Sequence, residues 1–261
     1  YILRELTFEK LAELGTIPAD SVELFKTMVR LGFNVLFSGQ VRAGKTAFMQ
    51  VWQRHEDTSL EGLAVSTDPE TPWHRIMPDA PLMQIVADGK DLEDVTKSLL
   101  RGDNDYIILE EMRDAAAFKL AVDVTSIGTA RSKATIHAGD AHDIPYKMAS
   151  AISAKYGGDL KPLIARIFRS FNYVIELYQL PSDRSRKRLK GISEYRYDPI
   201  SATVSIHTIC RYDETSKRWR WKYDIGEDKK NMGKLQPDEF KKMEEMLKML
   251  ESKNPIMENT V

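Results

Sequence analysis

Short apolar runs alternate with segments of helical periodicity between about residues 33 and 136. Each apolar run is too short for a typical helix and is bounded by polar or glycine residues, which favours a buried strand. Alternating strands and helices are typical of a parallel sheet with helices on its faces. The predicted strands are 33–38, 63–66, 82–86, 106–109 and 133–136, and the predicted helices are 45–56, 91–100 (with Asp91 as N-cap) and 115–126.

The pattern differs on either side of this region. Two short helices are predicted before the first strand, at 7–14 with Thr7 as N-cap and at 18–31 with Gly32 just past its end. After about residue 171 the apolar positions alternate with period two, which is typical of antiparallel strands. These strands are predicted at 173–180, 194–197, 203–211 and 217–222, and an amphipathic helix is predicted at 237–253.

Composition narrows the class of protein. Hydrophobic residues make up 42% of the 261 residues and charged residues 30%, which is ordinary for a globular protein. Lys and Arg (38) nearly balance Asp and Glu (39), so the net charge gives no reason to expect direct binding of nucleic acid. The single cysteine, Cys210, excludes an internal disulfide and a four-cysteine zinc site. We find no signal peptide or membrane-length apolar run and expect a cytoplasmic location; the start at Tyr1 indicates a trimmed chain or a piece of a longer one.

The segment 39–46 reads Gly-Gln-Val-Arg-Ala-Gly-Lys-Thr and fits the phosphate-binding P-loop pattern. In this pattern the backbone amides surround the phosphates, Lys45 reaches the β- and γ-phosphates, and the Thr46 hydroxyl binds Mg²⁺. A predicted strand before the segment and a predicted helix after it give the required context. We therefore expect ATP and Mg²⁺ as cofactors, with the nucleotide bound by Gly39, Gln40, Val41, Arg42, Ala43, Gly44, Lys45, Thr46 and Ala47.

Two further segments place polar side chains at the ends of predicted strands. Glu110 and Glu111 follow the strand at 106–109, and His137 follows the strand at 133–136. Because ligands in open α/β sheets sit at the carboxyl ends of the strands, we expect these groups to converge near the P-loop. A carboxylate there can face Mg²⁺ and the water that attacks the γ-phosphate. An isolated acidic pair or histidine is usually a solvated or packed residue, but their order after a P-loop favours a functional role.

These motifs resemble the type II/IV secretion ATPases, the motors of type IV pili, tight-adherence pili, type II secretion and conjugative transfer. Residues 111–114 (Glu-Met-Arg-Asp) match the Walker B ending of that family, and residues 135–139 (Thr-Ile-His-Ala-Gly) match its histidine box. Residues 99–101 match its arginine-bearing helix, and Gln84 has a family counterpart. The resemblance covers about residues 6–153, and the opening 6–38 resembles the tight-adherence branch in particular.

Pattern and resemblance together predict an α/β fold of the RecA-like P-loop class, with a mainly parallel sheet flanked by helices. We expect a helical lead-in at 1–32, the ATPase core at 33–170, and an antiparallel β extension with a terminal helix at 171–261. The resemblance also implies a hexameric ring at the inner face of the plasma membrane, where it would act on a platform protein. It further implies that ATP binds between this domain and a separate N-terminal domain that is not in this chain.

Two positions depart from the family pattern. The family's acidic box reads Glu-Asp-x-x-Glu, but Thr67 stands where the first glutamate is expected, followed by Asp68 and Glu70. Because threonine cannot serve as a carboxylate base, water activation falls to Glu111, Asp68 or Glu70, with Glu111 as the principal candidate. In the P-loop, Val41-Arg42 replaces the usual Thr-Gly, which removes easy access to positive φ, so slow hydrolysis is an open alternative.

The resulting hypothesis is an ATP-hydrolysing motor domain. Glu111 would orient water and bind Mg²⁺ together with Thr46, His137 would sense the γ-phosphate, and Arg113, like Arg75, would be a γ-phosphate sensor or a finger acting in a neighbouring subunit. A non-hydrolysing nucleotide switch or scaffold and a P-loop small-molecule kinase are the alternatives. The basic run 184–190 is predicted as a solvated hairpin loop, with contact to anionic lipid or a partner as the alternative.

Overall fold

The computed structural model describes residues 6–67, 71–99 and 102–257. Its strands are β1 (Val35–Ser38), β2 (Gly62–Ser66), β3 (Leu82–Val86), β4 (Tyr106–Met112), β5 (Lys133–Ile136), β6 (Tyr173–Leu180), β7 (Asp183–Asp198), β8 (Thr203–Asp213) and β9 (Arg218–Trp221). Within the described residues they form one sheet in the order β3-β2-β4-β5-β1-β6-β7-β8-β9. The pairs from β3 to β6 are parallel and those from β6 to β9 are antiparallel, which confirms the predicted fold class.

Strand β6 joins the parallel and antiparallel parts of the sheet. It pairs in parallel with β1 and antiparallel with β7. The sequence pattern predicted an antiparallel strand here, and the parallel pairing with β1 differs from that prediction. The first five residues of β6 are buried on both faces, which is typical of a central strand in a parallel sheet.

Strand β7 begins much earlier than the predicted strand at 194–197. The basic run 184–190 is its first half and not a hairpin loop, and the turn lies at residues 181–182. Leu189, the one apolar residue of this run, is fully buried and pairs with Leu177, while Lys187 pairs with Gln179. Pairing with β6 therefore continues through the basic residues. The prediction of a solvated loop was therefore wrong.

Helices cover both faces of the sheet and bury two apolar clusters. One face carries the lead-in helices, the helix after the P-loop and the C-terminal helix, and the other carries the helices between β3 and β6. No helix of the described residues is both long and apolar enough to cross a bilayer. The helices are α1 (Phe8–Glu13), α2 (Val22–Leu31), α3 (Lys45–Gln53), α4 (Trp73–Ile76), α5 (Gly89–Leu99), α6 (Ala115–Ser126), α7 (Asp143–Tyr156), α8 (Leu160–Ser170), α9 (Glu227–Gly233) and α10 (Pro237–Lys253).

Local signals place two helix ends where the sequence predicted them. The Thr7 hydroxyl accepts a hydrogen bond from the Lys10 amide at 3.2 Å, as an N-cap does. Gly32 adopts φ +75° and ends α2 in the left-handed conformation. Asp91 was predicted as an N-cap, but α5 begins two residues earlier at Gly89, so Asp91 lies in its first turn.

The C-terminal helix α10 packs on the lead-in. Its apolar stripe of Phe240, Met243, Leu247 and Leu250 is buried in the same cluster as the core of α2. An ion pair of 2.7 Å between Arg30 and Glu239 also connects the two helices. The residues after α10 return to the sheet, where Pro255 bridges Trp221 of β9.

A buried ion pair lies at the amino ends of the central strands. Lys133, at the start of β5, and Glu56, after α3, form an ion pair in which both side chains are almost fully buried. Arg131 adds a second contact to Glu56 at 2.5 Å, and the Lys133 ammonium lies 4.4 Å from the centre of the Tyr106 ring. The Glu56 carboxylate is therefore paired with two cations, one of which also lies over an aromatic ring.

Candidate functional site

The P-loop connects β1 to α3, and its backbone explains its glycines. Gly39 and Gly44 have φ angles of +147° and +95°. A Cβ on Gly39 would lie 2.2 Å from the carbonyl oxygen of Leu177 in β6, so no side chain fits there. Arg42 adopts φ +63° although it is not glycine, a conformation that costs about 1 kcal/mol or more.

The residues expected to bind the nucleotide run from the end of β1 into the first turn of α3 and differ in their exposure to solvent. Gly39, Ala43 and Lys45 are buried, whereas Gln40, Val41 and Arg42 are exposed. Gly44, Thr46 and Ala47 are half-buried where the loop enters the first turn of α3. The amides at this helix start are the groups that bind phosphate in P-loops, so the loop is shaped for an anion.

The Lys45 side chain turns back into the loop. Its ammonium donates hydrogen bonds to the carbonyl oxygens of Gly39 at 3.0 Å and Gln40 at 2.9 Å, and it contacts Nδ1 of His137 at 3.1 Å. Burial lowers the pKa of Lys45 to about 8, partly opposed by the charge of Glu111 and reinforced by that of Lys147. Lys45 is therefore a buried cation whose partners are mostly uncharged.

The two glutamates at the end of β4 have different environments. Glu110 is buried and accepts a hydrogen bond from the indole nitrogen of Trp73, so its carboxylate has a partner in the core. Glu111 lies at an irregularity in the pairing of β4 with β5 and has φ +55°. Its amide donates to the Thr135 hydroxyl at 2.8 Å, which holds the turned backbone in place.

Glu111 and His137 are directly hydrogen-bonded. Glu111 Oε1 lies 2.7 Å from His137 Nε2, and Glu111 Oε2 accepts from Arg113. Burial tends to raise the pKa of Glu111, but the hydrogen bonds and charges of Arg113 and His137 outweigh it, so this pKa lies below its usual value. The carboxylate is ionised at neutral pH.

The contacts of His137 determine which ring nitrogen carries the proton. A charged Lys45 ammonium can only donate, so Nδ1 of His137 accepts and Nε2 donates its proton to Glu111. The ring thus connects the P-loop lysine to the carboxylate of β4. The backbone oxygen of His137 also accepts a hydrogen bond from Lys147 on α7.

Thr67, another residue singled out by the sequence, lines a small cavity together with Glu110 and Glu111. Thr67 is exposed at the end of β2, and Arg75 is exposed on α4. Gln84 donates to the backbone oxygen of Thr71 at 3.1 Å. Asp68, Glu70, Leu100 and Arg101 lie outside the described residues.

The residues present are suited to Mg²⁺ with few protein ligands. No group of three or more His, Cys, Asp or Glu residues is positioned to hold a metal in the part of the chain that the structure describes. Mg²⁺ is usually bound by one or two protein oxygens together with waters and substrate phosphates. The Thr46 hydroxyl and the ionised Glu111 carboxylate are oxygen donors of that kind.

Three contacts around the site were not anticipated. The indole of Trp73 donates a hydrogen bond to Glu110, and the Thr135 hydroxyl accepts one from the Glu111 amide. The Lys187 side chain of β7 packs beside Gly44. Thr135 belongs to the histidine box and Lys187 to the basic run, so both lay in segments already singled out. Trp73 has no such signal, because it lies 37 residues from its partner in the sequence.

Comparison with known proteins gives the family. A family model described as type II/IV secretion system protein matches residues 2–187, more than half of the chain. The chain belongs to this family. Among curated proteins, an uncharacterized protein of Bacillus anthracis is 23% identical over 198 residues, which cover 74% of this chain and 43% of that relative.

Solved structures of secretion and pilus ATPases share the fold of this family member. The VirB11 ATPase of the Brucella suis type IV secretion system has a TM-score of 0.59 at 18% identity, covering 75% of this chain and 56% of VirB11. The Legionella pneumophila ATPase DotB has a TM-score of 0.52 at 16% identity, covering 93% of this chain and 61% of DotB. The pilus retraction motor PilT, solved with ADP, has a TM-score of 0.51 at 14% identity, covering 97% of this chain and 64% of PilT. This chain thus spans less than two thirds of each relative, and its assignment to the tight-adherence branch stays a prediction.

Proposed function

We propose that this chain is the ATP-hydrolysing motor domain of a type II/IV secretion or pilus-assembly machine. The observation that carries the proposal is the chain of contacts from Lys45 through His137 to Glu111, which joins the phosphate loop to an ionised carboxylate. Family membership and the fold shared with secretion ATPases support it.

In this proposal the chain's residues supply positioning and charge, which is most of what phosphoryl transfer requires. Lys45 leaves the carbonyl oxygens of the loop and binds the β- and γ-phosphates. Thr46 and Glu111 hold Mg²⁺, which neutralises phosphate charge when it is bound. Glu111 also orients the attacking water, and Arg113 stabilises charge at the γ-phosphate.

His137 reports the state of the nucleotide. The Lys45 ammonium contacts Nδ1 of His137, and a phosphate bound to Lys45 would compete for the same ammonium protons and so release Nδ1 of the ring. Because Nε2 of the same ring donates to Glu111, a movement of the ring would also change the hydrogen bond that the Glu111 carboxylate accepts. We propose that loss of the γ-phosphate frees one ammonium proton of Lys45 for His137 again while the β-phosphate keeps another, and that the resulting movement of His137 is passed to the loop that follows it.

We further propose a hexameric ring that works with a platform protein at the cytoplasmic face of the membrane, with Asp68 and Glu70 as supporting carboxylates. This part rests on the resemblance of the motifs to secretion ATPases.

A slowly hydrolysing or non-hydrolysing nucleotide switch is a second candidate function. One observation favours it: both carboxylate oxygens of Glu111 are engaged, one by His137 and the other by Arg113. Thr67 in place of an acidic residue points the same way. A switch would bind ATP tightly without releasing phosphate.

Phosphate release by the parent protein and by the variants Lys45→Ala, Glu111→Gln and Glu110→Gln tests the proposal. We expect Lys45→Ala to abolish nucleotide binding and Glu111→Gln to lower turnover by about 100-fold or more, as for loss of a water-orienting group. Glu110→Gln is the matched control, since an amide oxygen still accepts from Trp73. Equal rates for Glu111→Gln and Glu110→Gln would refute the role of Glu111, and tight ATP binding without turnover by the parent would favour the switch.

A further inference from the structure

A cavity of about 670 Å³ opens beside the P-loop, on the side away from His137. It lies between the first turns of α3, the loop after α1 and the first half of β7, and its lining includes Gly44, Ala47, Phe48, Leu14, Lys187 and Arg188. Strands β5 and β6 flank β1 on opposite sides. His137, which follows β5, and Lys187, on β7 beyond β6, therefore reach the loop from opposite sides.

Strand β7 contacts the P-loop directly. The Cγ of Lys187 lies 3.3 Å from the position that a Cβ on Gly44 would take, so the lysine stem packs against the bare backbone of the loop. The Lys187 ammonium donates to the backbone oxygen of Arg184 at 2.6 Å. Arg188 lines the wall of the cavity formed by the loop after α1. Its guanidinium lies against Gly15 and donates a hydrogen bond to the backbone oxygen of Leu14 at 3.4 Å.

Three positive charges at this cavity have no close ion-pair partner in the part of the chain that the structure describes. Among the described residues, no carboxylate lies within 4 Å of the charged groups of Arg42, Lys187 or Arg188, whereas Arg186 pairs with Asp183 at 3.4 Å. Glu13 lines the rim of the cavity but pairs with Lys10 of its own helix at 2.7 Å. Burial and then the charge of Arg42 lower the pKa of Lys187, and the charge of Asp183 opposes them only in part. An anion bound beside Lys187 and Arg42 would therefore reduce the repulsion between the two cations.

We infer that Lys187 and Arg42 form a second cationic contact for the nucleotide, opposite Lys45, and bind the α- and β-phosphates that ATP and ADP share. This inference rests on the proposed function. The γ-phosphate would lie on the side of Glu111 and His137, so the β7 side receives the part of the nucleotide that stays after hydrolysis. Lys187 therefore sets the affinity for ATP and ADP alike and does not take part in the chemical step.

Calorimetric titration with Mg²⁺-ADP and with a non-hydrolysable ATP analogue tests the inference on the parent and on Lys187→Gln. We expect Lys187→Gln to weaken both ligands about tenfold, the loss typical of one charge-assisted hydrogen bond. Arg42→Gln, at an exposed position, should weaken both ligands in the same direction. Arg184→Gln is the matched control, since Arg184 is exposed on the same strand and does not line the cavity, and its affinity should equal that of the parent.

The outcomes separate this inference from the proposed function. Parent-like affinity in both Lys187→Gln and Arg42→Gln, with binding lost in Lys45→Ala, would overturn the inference and leave the proposed function intact. A parent protein that binds neither ligand would overturn the proposed function itself. A lipid headgroup is the other possible source of phosphate, and co-sedimentation with phosphatidylglycerol vesicles tests it. If Lys187→Gln and Arg184→Gln lose vesicle binding equally while their ADP affinity is unchanged, this strand is a lipid contact. That result would also overturn the inference.

Discussion

Replacing Lys45 by methionine should stabilise the nucleotide-free protein at neutral pH although it removes the phosphate contact. Burial lowers the pKa of Lys45 from 10.5 to about 8. At about 1.4 kcal/mol per pH unit, the folded state therefore disfavours the ammonium by about 3 kcal/mol at pH 7. Methionine fills similar space but loses the hydrogen bonds to the oxygens of Gly39 and Gln40, which are worth about 1 kcal/mol each. It also loses the contact to Nδ1 of His137, but this ring is 31% exposed and water can take the place of the ammonium there, so this loss adds little. The net expectation is a gain of about 1 kcal/mol in the free energy of unfolding at pH 7.

The sign of this difference should reverse at alkaline pH. The folded chain releases the Lys45 proton near pH 8, whereas the unfolded chain keeps it up to about pH 10.5. Between these values the unfolded state binds more protons, so stability of the parent rises with pH relative to the variant. The cost of the ammonium falls to about 1 kcal/mol at pH 10, where the lost hydrogen bonds should make Lys45→Met less stable than the parent by about 1 kcal/mol.

Urea denaturation followed by tryptophan fluorescence at pH 7 and pH 10 measures both values, with the buried Trp52 and Trp73 as probes. Lys161→Met is the matched control, because Lys161 is exposed on α8 and its replacement should give the same difference at both pH values. A Lys45→Met protein that is less stable than the parent at pH 7, or a difference that does not change with pH, would refute the reasoning.

Two further predictions concern stability. Glu56→Gln should lower the free energy of unfolding by about 3–5 kcal/mol, because it leaves the fully buried Lys133 without a counter-anion. Guanidinium denaturation measures this loss, with the exposed Glu61→Gln as the control. A loss no larger than that of the control would contradict the prediction. Arg42→Val should lower stability by about 1–2 kcal/mol because a β-branched residue fits φ +63° poorly. Arg42→Asn should stay near the parent in thermal melts, since asparagine tolerates that conformation, and equal melting temperatures for the two variants would show that the strain is absent.

The sequence predicted most of the parallel sheet because its strands are short apolar runs with clear boundaries. The predicted bounds of β5, α6 and α10 are those observed. The basic half of β7 was missed because five of its seven residues are Arg or Lys, and only Leu189 marks a buried face. Helices α4, α7, α8 and α9 were not predicted either.

The site was predictable as a set of motifs but not in its geometry. Neighbouring residues in a regular strand point to opposite faces, so Glu110 and Glu111 could not both face the nucleotide. The positive φ of Glu111 and the hydrogen bond from Trp73 to Glu110 decide between them, and neither feature has a periodic signal in the sequence. The contact between Lys187 and Gly44 depends on the register of β6 with β7, which the sequence pattern did not fix.

The side-by-side packing of α2 and α10 has a mechanical consequence. Helix α2 packs against α10, and the segment that follows α10 pairs with β9 through Pro255. A pull applied near the start of the chain would therefore be shared with the far edge of the sheet instead of peeling α2 away alone. A rotation applied through α2 would therefore turn the sheet together with the helices and not bend the connection between them.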